Sequence, residues 1–286
     1  MQRRMCVVTV TYRGDISLFE QLCQSMDAVM PEMEHHVLLD PSDLTLFQRF
    51  EGPHRRIVDA STLLPQFREF TLGSRRLWWR WPFFIARGWT YQQLVKIAYV
   101  SQLDYDAALL ADSDMIFLRA LQDSDVFDPE RVRLYHRPGQ ADGPEFVKWH
   151  NSASRCLGLP ETGYTGSDYI STAVIWSPEV VRAMVTRIET STGRKWHDAL
   201  IANFRFSEYI TYGIFCQRVP GAHRDLVSPT KSELCHCSWH YDLRSEAGVE
   251  AFVAELQPHH AGVLIQSNLG MNEAERNDIL ARFRAS

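Results

Sequence analysis

No stretch of this chain approaches the roughly 18 uninterrupted apolar residues that a membrane-spanning helix needs, so the sequence predicts no membrane span and a cytoplasmic protein. Basic charge is also short. Lys and Arg number 30 against 35 Asp and Glu, a net charge of -5, which argues against a nucleic-acid-binding surface. Six cysteines in 286 residues do not make a disulfide framework, and Cys6 and Cys23 sit in apolar settings typical of buried thiols. No glycine-rich phosphate loop is present, which disfavours both a Rossmann dinucleotide site and a P-loop. The charged start, Met1-Gln-Arg-Arg, leads into an apolar run about half as long as a signal peptide requires, so it reads as a first strand.

What is present is an ordinary globular composition, 45% hydrophobic and 23% charged, long enough to bury a large core in one domain spanning 1–286. Strand-like and helix-like stretches take turns, the pattern of an α/β fold with a mostly parallel, Rossmann-like sheet flanked by helices. Residues 6–11, 35–40 and 56–59 read as strands, and residues 15–30 as a helix with Leu18, Leu22 and Met26 at helical spacing and Pro31 ending it. A second helix is expected over 90–103, capped by Thr90. Further strands are expected at 132–136 and 170–176, a helix at 178–189, and a loop at 158–168 that could cover a site.

The chain is organised around residues 107–119, where an apolar run drives into Asp112-Ser113-Asp114. A strand buried on both faces has this composition, and side chains two apart project to one side, so both carboxylates can converge beyond the strand's carboxyl end. Ligands of open α/β sheets bind at that end. Two carboxylates held together call for a hard divalent cation, Mn²⁺ or Mg²⁺, bridging a diphosphate. The plainer alternative is a solvated turn. Asp40 and Asp59 end their strands and could accept ribose hydroxyls or a base N–H, although a turn or cap role serves each equally well.

Between residues 75 and 89, Trp78, Trp79, Trp81 and Trp89 interleave with Arg75, Arg76, Arg80 and Arg87. Core packing under the next helix ranks first for these aromatics, stacking on an acceptor sugar second, and peripheral contact with a membrane surface third. Cys235-His236-Cys237-Ser238-Trp239-His240 gathers soft ligands, but without a second Cys-x-x-Cys arm a structural zinc site is disfavoured.

The segment from Gly88 through Gln92, Gln93 and Lys96 to Ile97, followed by the strand ending in Asp112-Ser113-Asp114, resembles the bacterial GT-A glycosyltransferases, in particular a poorly characterised family of them. Ser207-Glu208-Tyr209, continuing to Tyr212-Gly213, looks like a matching segment of the same family. The resemblance implies a GT-A-like domain with a nucleotide-sugar-binding half at 1–120 and an acceptor-binding half at 121–286. It implies a metal-dependent hexosyltransferase that moves a sugar from a UDP- or GDP-sugar to a hydroxyl of a saccharide or glycoconjugate, as in polysaccharide biosynthesis. Asp112 and Asp114 would hold the metal, with His236 or, equally, His240 as third ligand. Thr11, Tyr12, Arg13, Asp40, Asp59, Gln93, Lys96, Asp112 and Ser113 would contact the donor. Glu208 would be the catalytic carboxylate that takes the proton of the acceptor hydroxyl or handles the sugar, Asp168 in its loop is a second candidate site acid, and Trp79, Trp81 and Tyr209 would meet the acceptor. Two other readings compete: a haloacid-dehalogenase-like phosphotransferase using Asp112 and Asp114, disfavoured by the motif's late position and by Met115, and a nucleotide- or carbohydrate-binding protein without turnover.

Overall fold

The computed structural model describes residues 3–73, 75–81, 84–160, 166–203 and 205–285. Strand β1 (Met5–Val10) leads through helix α1 (Ile16–Val29) to β2 (His35–Leu39), then past a short α2 (Leu44–Phe47) to β3 (Arg55–Asp59). An antiparallel meander follows, β4 (Arg68–Leu72), β5 (Arg75–Arg80) and β6 (Phe84–Arg87), running directly into α3 (Gly88–Val100) and then β7 (Ala107–Ala111). This places the start of α3 two residues before the expected Thr90 cap. Arg87 leaves β6 still extended, so the strand end itself becomes the helix cap.

The central sheet has the order β13-β7-β1-β2-β3, where β13 (Ala173–Trp176) is the antiparallel edge beside β7 and the other pairs are parallel. Its middle strands feed two cores at once, because alternate side chains point to opposite faces. Leu109 of β7 and Val7 of β1 join Phe19, Leu22 and Met26 of α1. Leu110 and Val8 join Leu94 and Ile97 of α3 on the other face. Crossovers from β1 therefore go one way through α1, and the return to β7 comes by α3 on the opposite face. The strand order reverses between β1 and β7, and a crevice opens beyond their carboxyl ends.

The second half supplies the remaining walls. After β8 (Met115–Phe117) come α4 (Asp123–Val126), β9 (Phe127–Asp128), β10 (Arg131–Tyr135), β11 (Arg137–Pro138), α5 (Pro144–Cys156) and β12 (Ser167–Asp168). Part of the loop expected at 158–168 lies outside the described residues, and its end is the short strand β12. Next is α6 (Pro178–Thr192), which starts under a Ser177 cap and runs past the expected 189 until Gly193 takes the left-handed conformation at φ 64. Helices α7 (Trp196–Ala202) and α8 (Glu208–Arg218) complete the α3 side. The chain ends with β14 (Val227–Thr230), β15 (Cys235–Cys237), α9 (Glu246–Ala254), β16 (Gly262–Leu264) and α10 (Glu273–Ala285). Strands β15, β16 and β8 form a small sheet whose outer side, with Ile116 and Val263, packs together with Phe252 of α9 against Ile279, Leu280 and Phe283.

Helix α8 begins as the Ser-Glu-Tyr pattern implies: the Ser207 hydroxyl accepts the Ile210 N–H at 3.3 Å. The helix is buried along nearly its whole length, which leaves no room at Gly213, where an added Cβ would collide with the Tyr169 ring. Gly213→Ala is therefore expected to destabilise the fold by about 1–3 kcal/mol, the usual cost of overpacking, even though Ala has the better helix propensity. Urea unfolding of the variant measures this directly, and an unchanged midpoint would show that Tyr169 moves aside freely.

The Trp-Arg segment departs from the expectation that its aromatics pack inside. As strand β5, it alternates. Trp78 turns inward, buried and stacked on Tyr91 of α3 at 4.7 Å between ring centroids, and Trp79 and Leu77 turn outward. Only one of the two faces meets the core.

Candidate active site

The crevice between β1 and β7 gathers acids from three separate places. Asp15 follows β1 and accepts the Ser113 hydroxyl at 3.2 Å. Asp112 and Asp114 follow β7, and Asp114 Oδ2 accepts the backbone N–H of Ser267, from beyond β16, at 3.1 Å. Burial pushes all three carboxyls upward, with like charge adding to it at Asp112 and Asp15. Asp112 is pushed to about 7 by burial, opposed by Lys96 and reinforced by Asp114, Glu208 and Asp15. Asp15 is raised by burial and by Asp114, and Asp114 by burial against the Ser267 N–H and Arg276.

Two buried cations face these acids. Lys96, two turns into α3, donates to Glu208 Oε1 at 3.1 Å and to the Tyr209 hydroxyl at 2.8 Å, lying over the Tyr209 ring. The Glu208 backbone N–H is received by Gln93 Oε1 at 3.1 Å, so one face of α3 holds the first turn of α8. Arg276 of α10 reaches in from the C-terminus, bonding the carbonyls of Ile265 at 2.6 Å and Asp114 at 3.4 Å. Gln93 Nε2, Thr11 Oγ1 and Arg276 Nε are buried with no hydrogen-bond partner among the described residues, leaving polar atoms in the walls of the crevice unspent.

A second polar cluster lies at the ends of β1 and β2. Arg13 donates to Asp43 at 2.5 Å and to the Ser42 carbonyl at 2.6 Å, and Arg76 reaches Asp40 at 3.2 Å and Asp43 at 3.2 Å. Burial raises the Asp40 carboxyl to about 6, with Arg76 opposing. Burial would also raise Asp43, but its hydrogen bonds from Arg13 and Arg76 hold it below the ordinary carboxylate range. Tyr12 is exposed at the rim. Asp59 caps a turn, its Oδ1 accepting the Ser61 N–H at 2.8 Å.

Several residues named from the sequence are not brought to this crevice. His236 sits on the outer face of β15, where its Nε2 bonds the Phe252 carbonyl at 2.8 Å and its ring stacks on Phe252 and His260. It shares that strand with Cys235 and Cys237, which alternate to the inner face, so the expected third ligand is turned away from Asp112 and Asp114. His240 lies past the strand in a 3₁₀ turn and is exposed, so the two histidines share no strand face. Among the described residues no three His, Cys, Asp or Glu side chains are arranged to hold a metal ion. Asp168 pairs in β12 opposite Arg137, and its Oδ1 accepts the Ile170 N–H at 2.9 Å. The charges that act on it are Glu233 and Arg137, not the acidic pair. Trp79 and Trp81 are exposed on the outer side of the meander.

Asp15, Asp43, Ser267 and Arg276 were not singled out from the sequence. Arg276 did leave a trace: it falls in register with Ile279, Leu280 and Phe283 on the buried stripe of α10, where a charge is out of place.

The acids and buried cations thus lie at the switch point of a mostly parallel α/β sheet flanked by helices, a fold of the GT-A type. Consistent with this, the fold matches that of mouse xyloside xylosyltransferase 1 in its apo form, at a TM-score of 0.50 and 12% identity over 93% of this chain and 99% of that one. Galactosyltransferase LgtC, solved in complex with donor and acceptor sugar analogues, aligns at a TM-score of 0.48 and 14% identity over 97% of this chain and 95% of that one. No curated protein matches the chain in sequence. The chain belongs to the family described as "Family of unknown function (DUF6492)", whose model matches residues 5–286.

Proposed function

We propose that this protein transfers a sugar from a nucleotide-diphosphate sugar, UDP- or GDP-linked, to a hydroxyl of a saccharide or glycoconjugate acceptor. The observation that supports this most is the convergence of Asp15, Asp112 and Asp114 at the switch point, with Lys96 and Arg276 beside them. The donor set suits Mn²⁺ or Mg²⁺. It is all hard oxygen, it is crowded enough to raise Asp112 to about 7, and such ions usually take only one or two carboxylates and complete their shell with phosphates and water. Asp112 and Asp114 would hold the ion, which when bound supplies charge neutralisation for the departing diphosphate.

The remaining roles belong to the chain itself. Lys96 and Arg276 place fixed positive charge against an anionic donor in a site where burial strengthens each interaction. Gln93 Nε2 and Thr11 Oγ1 offer unspent hydrogen-bonding atoms to the donor. Arg13, Asp40 and Arg76 form the polar floor where a base and ribose would lie. Glu208 is held by Lys96 through Oε1, and its Oε2 makes no hydrogen bond among the described residues, leaving that oxygen for a sugar hydroxyl.

A thermal-shift series against UDP- and GDP-sugars, each with Mn²⁺ and with EDTA, tests this. A ligand at a hundredfold excess over its Kd stabilises the native state by about 2.7 kcal/mol, several degrees in melting temperature. The expected result is a rise with one nucleotide class that disappears in EDTA. A flat response to every donor would overturn the proposal.

A further inference from the structure

We infer that the outer face of the β4–β5–β6 meander is a docking surface for an anionic lipid bilayer. The strand register fixes which side chains share that face. Trp79 lies opposite Arg68 on one side and Ile85 on the other, and Leu77 lies opposite Phe70 and Arg87. The inward set, by contrast, contains Trp78 and Ala86, which are buried against α3. Leu72 is 68% exposed, Trp81 73% and Ile85 56%, and Trp89 at the adjoining start of α3 is 58% exposed.

Large apolar side chains clustered this way on one sheet face mark an interaction surface rather than scattered exposure. The composition decides which kind. Tryptophans flanked by arginines suit the water–headgroup boundary, where an indole sits with its ring in the acyl edge and its N–H in the polar layer. The charge is complementary to an anionic surface although the whole chain carries a net charge of -5. Inward-facing Arg76 and Arg80 are spent on Glu69 at 2.8 Å and Asp198 at 2.7 Å. Arg68 and Arg87, on the outer face, have no ion pair among the described residues and are available to lipid phosphates. Beside the patch, a cleft of about 380 Å³ lined by Arg87, Trp89 and Trp149 also holds Glu145 paired with Arg205 at 2.6 Å, which leaves Arg87 as its cation without an ion pair among the described residues. The inner face of the same sheet carries Arg76 to Asp40, so docking by the outer face would set the meander between the bilayer and that polar cluster.

Flotation of the purified full chain with vesicles of phosphatidylcholine alone, and with about 30% phosphatidylglycerol, tests this without measuring turnover. Its failure and the failure of sugar transfer are therefore separate results. The expected outcome is binding to the anionic vesicles, at least about tenfold weaker on the neutral ones, with a blue shift of tryptophan emission and release by high salt. Leu72→Ser/Ile85→Ser, whose melting temperature should match the parent because both side chains are exposed, should weaken vesicle binding by about tenfold or more. Arg68→Glu/Arg87→Glu should abolish the preference for anionic vesicles. Absence of vesicle binding by the parent chain would overturn the inference, as would full binding by Leu72→Ser/Ile85→Ser. It would also be overturned if the parent forms a dimer in sedimentation that the same variant breaks, because the face would then join two copies of this chain.

Discussion

Asp112→Asn is expected to lower sugar transfer by about three orders of magnitude or more while making the metal-free protein more stable. The loss follows from removing a carboxylate at the point where a diphosphate's charge must be neutralised, an effect worth several kcal/mol in the transition state. The gain in stability follows from the same location. Burial, with Asp114, Glu208 and Asp15 adding to it, raises the Asp112 carboxyl from 3.8 to about 7. A carboxyl whose folded value lies above its unfolded value favours folding when protonated. That contribution is complete below pH 3.8 and is lost as pH rises toward 7, after which the ionised group burdens the fold by a constant amount. Asn carries no such burden. In EDTA, the variant's melting temperature should exceed the parent's at pH 8, with the difference shrinking toward pH 4. Opposite signs for activity and stability separate a strained functional acid from a structural one, whose loss would reduce both. Asp114→Asn should also abolish transfer. Retained transfer in that variant would remove the metal-binding role from Asp114.

Lys96→Met is expected to cost about 3–5 kcal/mol of stability, more than any other single change considered. Lys96 and Glu208 are both buried, with side chains 15% and 4% exposed, and removing the cation strands an anion in a poorly solvated site next to Asp112. The double variant Lys96→Met/Glu208→Met replaces the pair with apolar volume and should recover a large part of that loss, since a buried pair often contributes little over an apolar equivalent. Chemical denaturation of the parent, both single variants and the double variant closes the cycle. A double variant as unstable as the sum of the singles would show that the two residues are not coupled, contrary to their 3.1 Å contact. Transfer should fall more than a hundredfold in each single variant. In the double variant it should stay low despite the recovered stability, because positive charge against the donor is still missing.

The alternation of strands and helices, the buried strand before Asp112 and the Ser207 cap on α8 were all legible in the chain. Each rests on periodicity or on a local hydrogen bond within a few residues, and neighbouring sequence supplies that information. The acidic tripeptide was legible as well, but Asp112 and Asp114 follow β7 in a turn and do not continue the strand, so its two-residue period does not set their directions. Which residues would meet them was another matter. Asp15 reaches Ser113 across β1 and β7, Ser267 reaches Asp114 from beyond β16, and Arg276 reaches the same loop from α10. His236, one of the two histidines that the family resemblance offered as a metal ligand, lies on the opposite face because Cys235 and Cys237 on either side of it are claimed by the core.

The sequence by itself determined the elements and the acidic point around which they are arranged, because dihedral preference and side-chain period act over short distances. Only the tertiary structure decided the partners of those acids and the outward side of the tryptophan meander. Both depend on which strand edges and helix faces are brought together, and that depends on how the whole chain shares out its apolar surface between two cores.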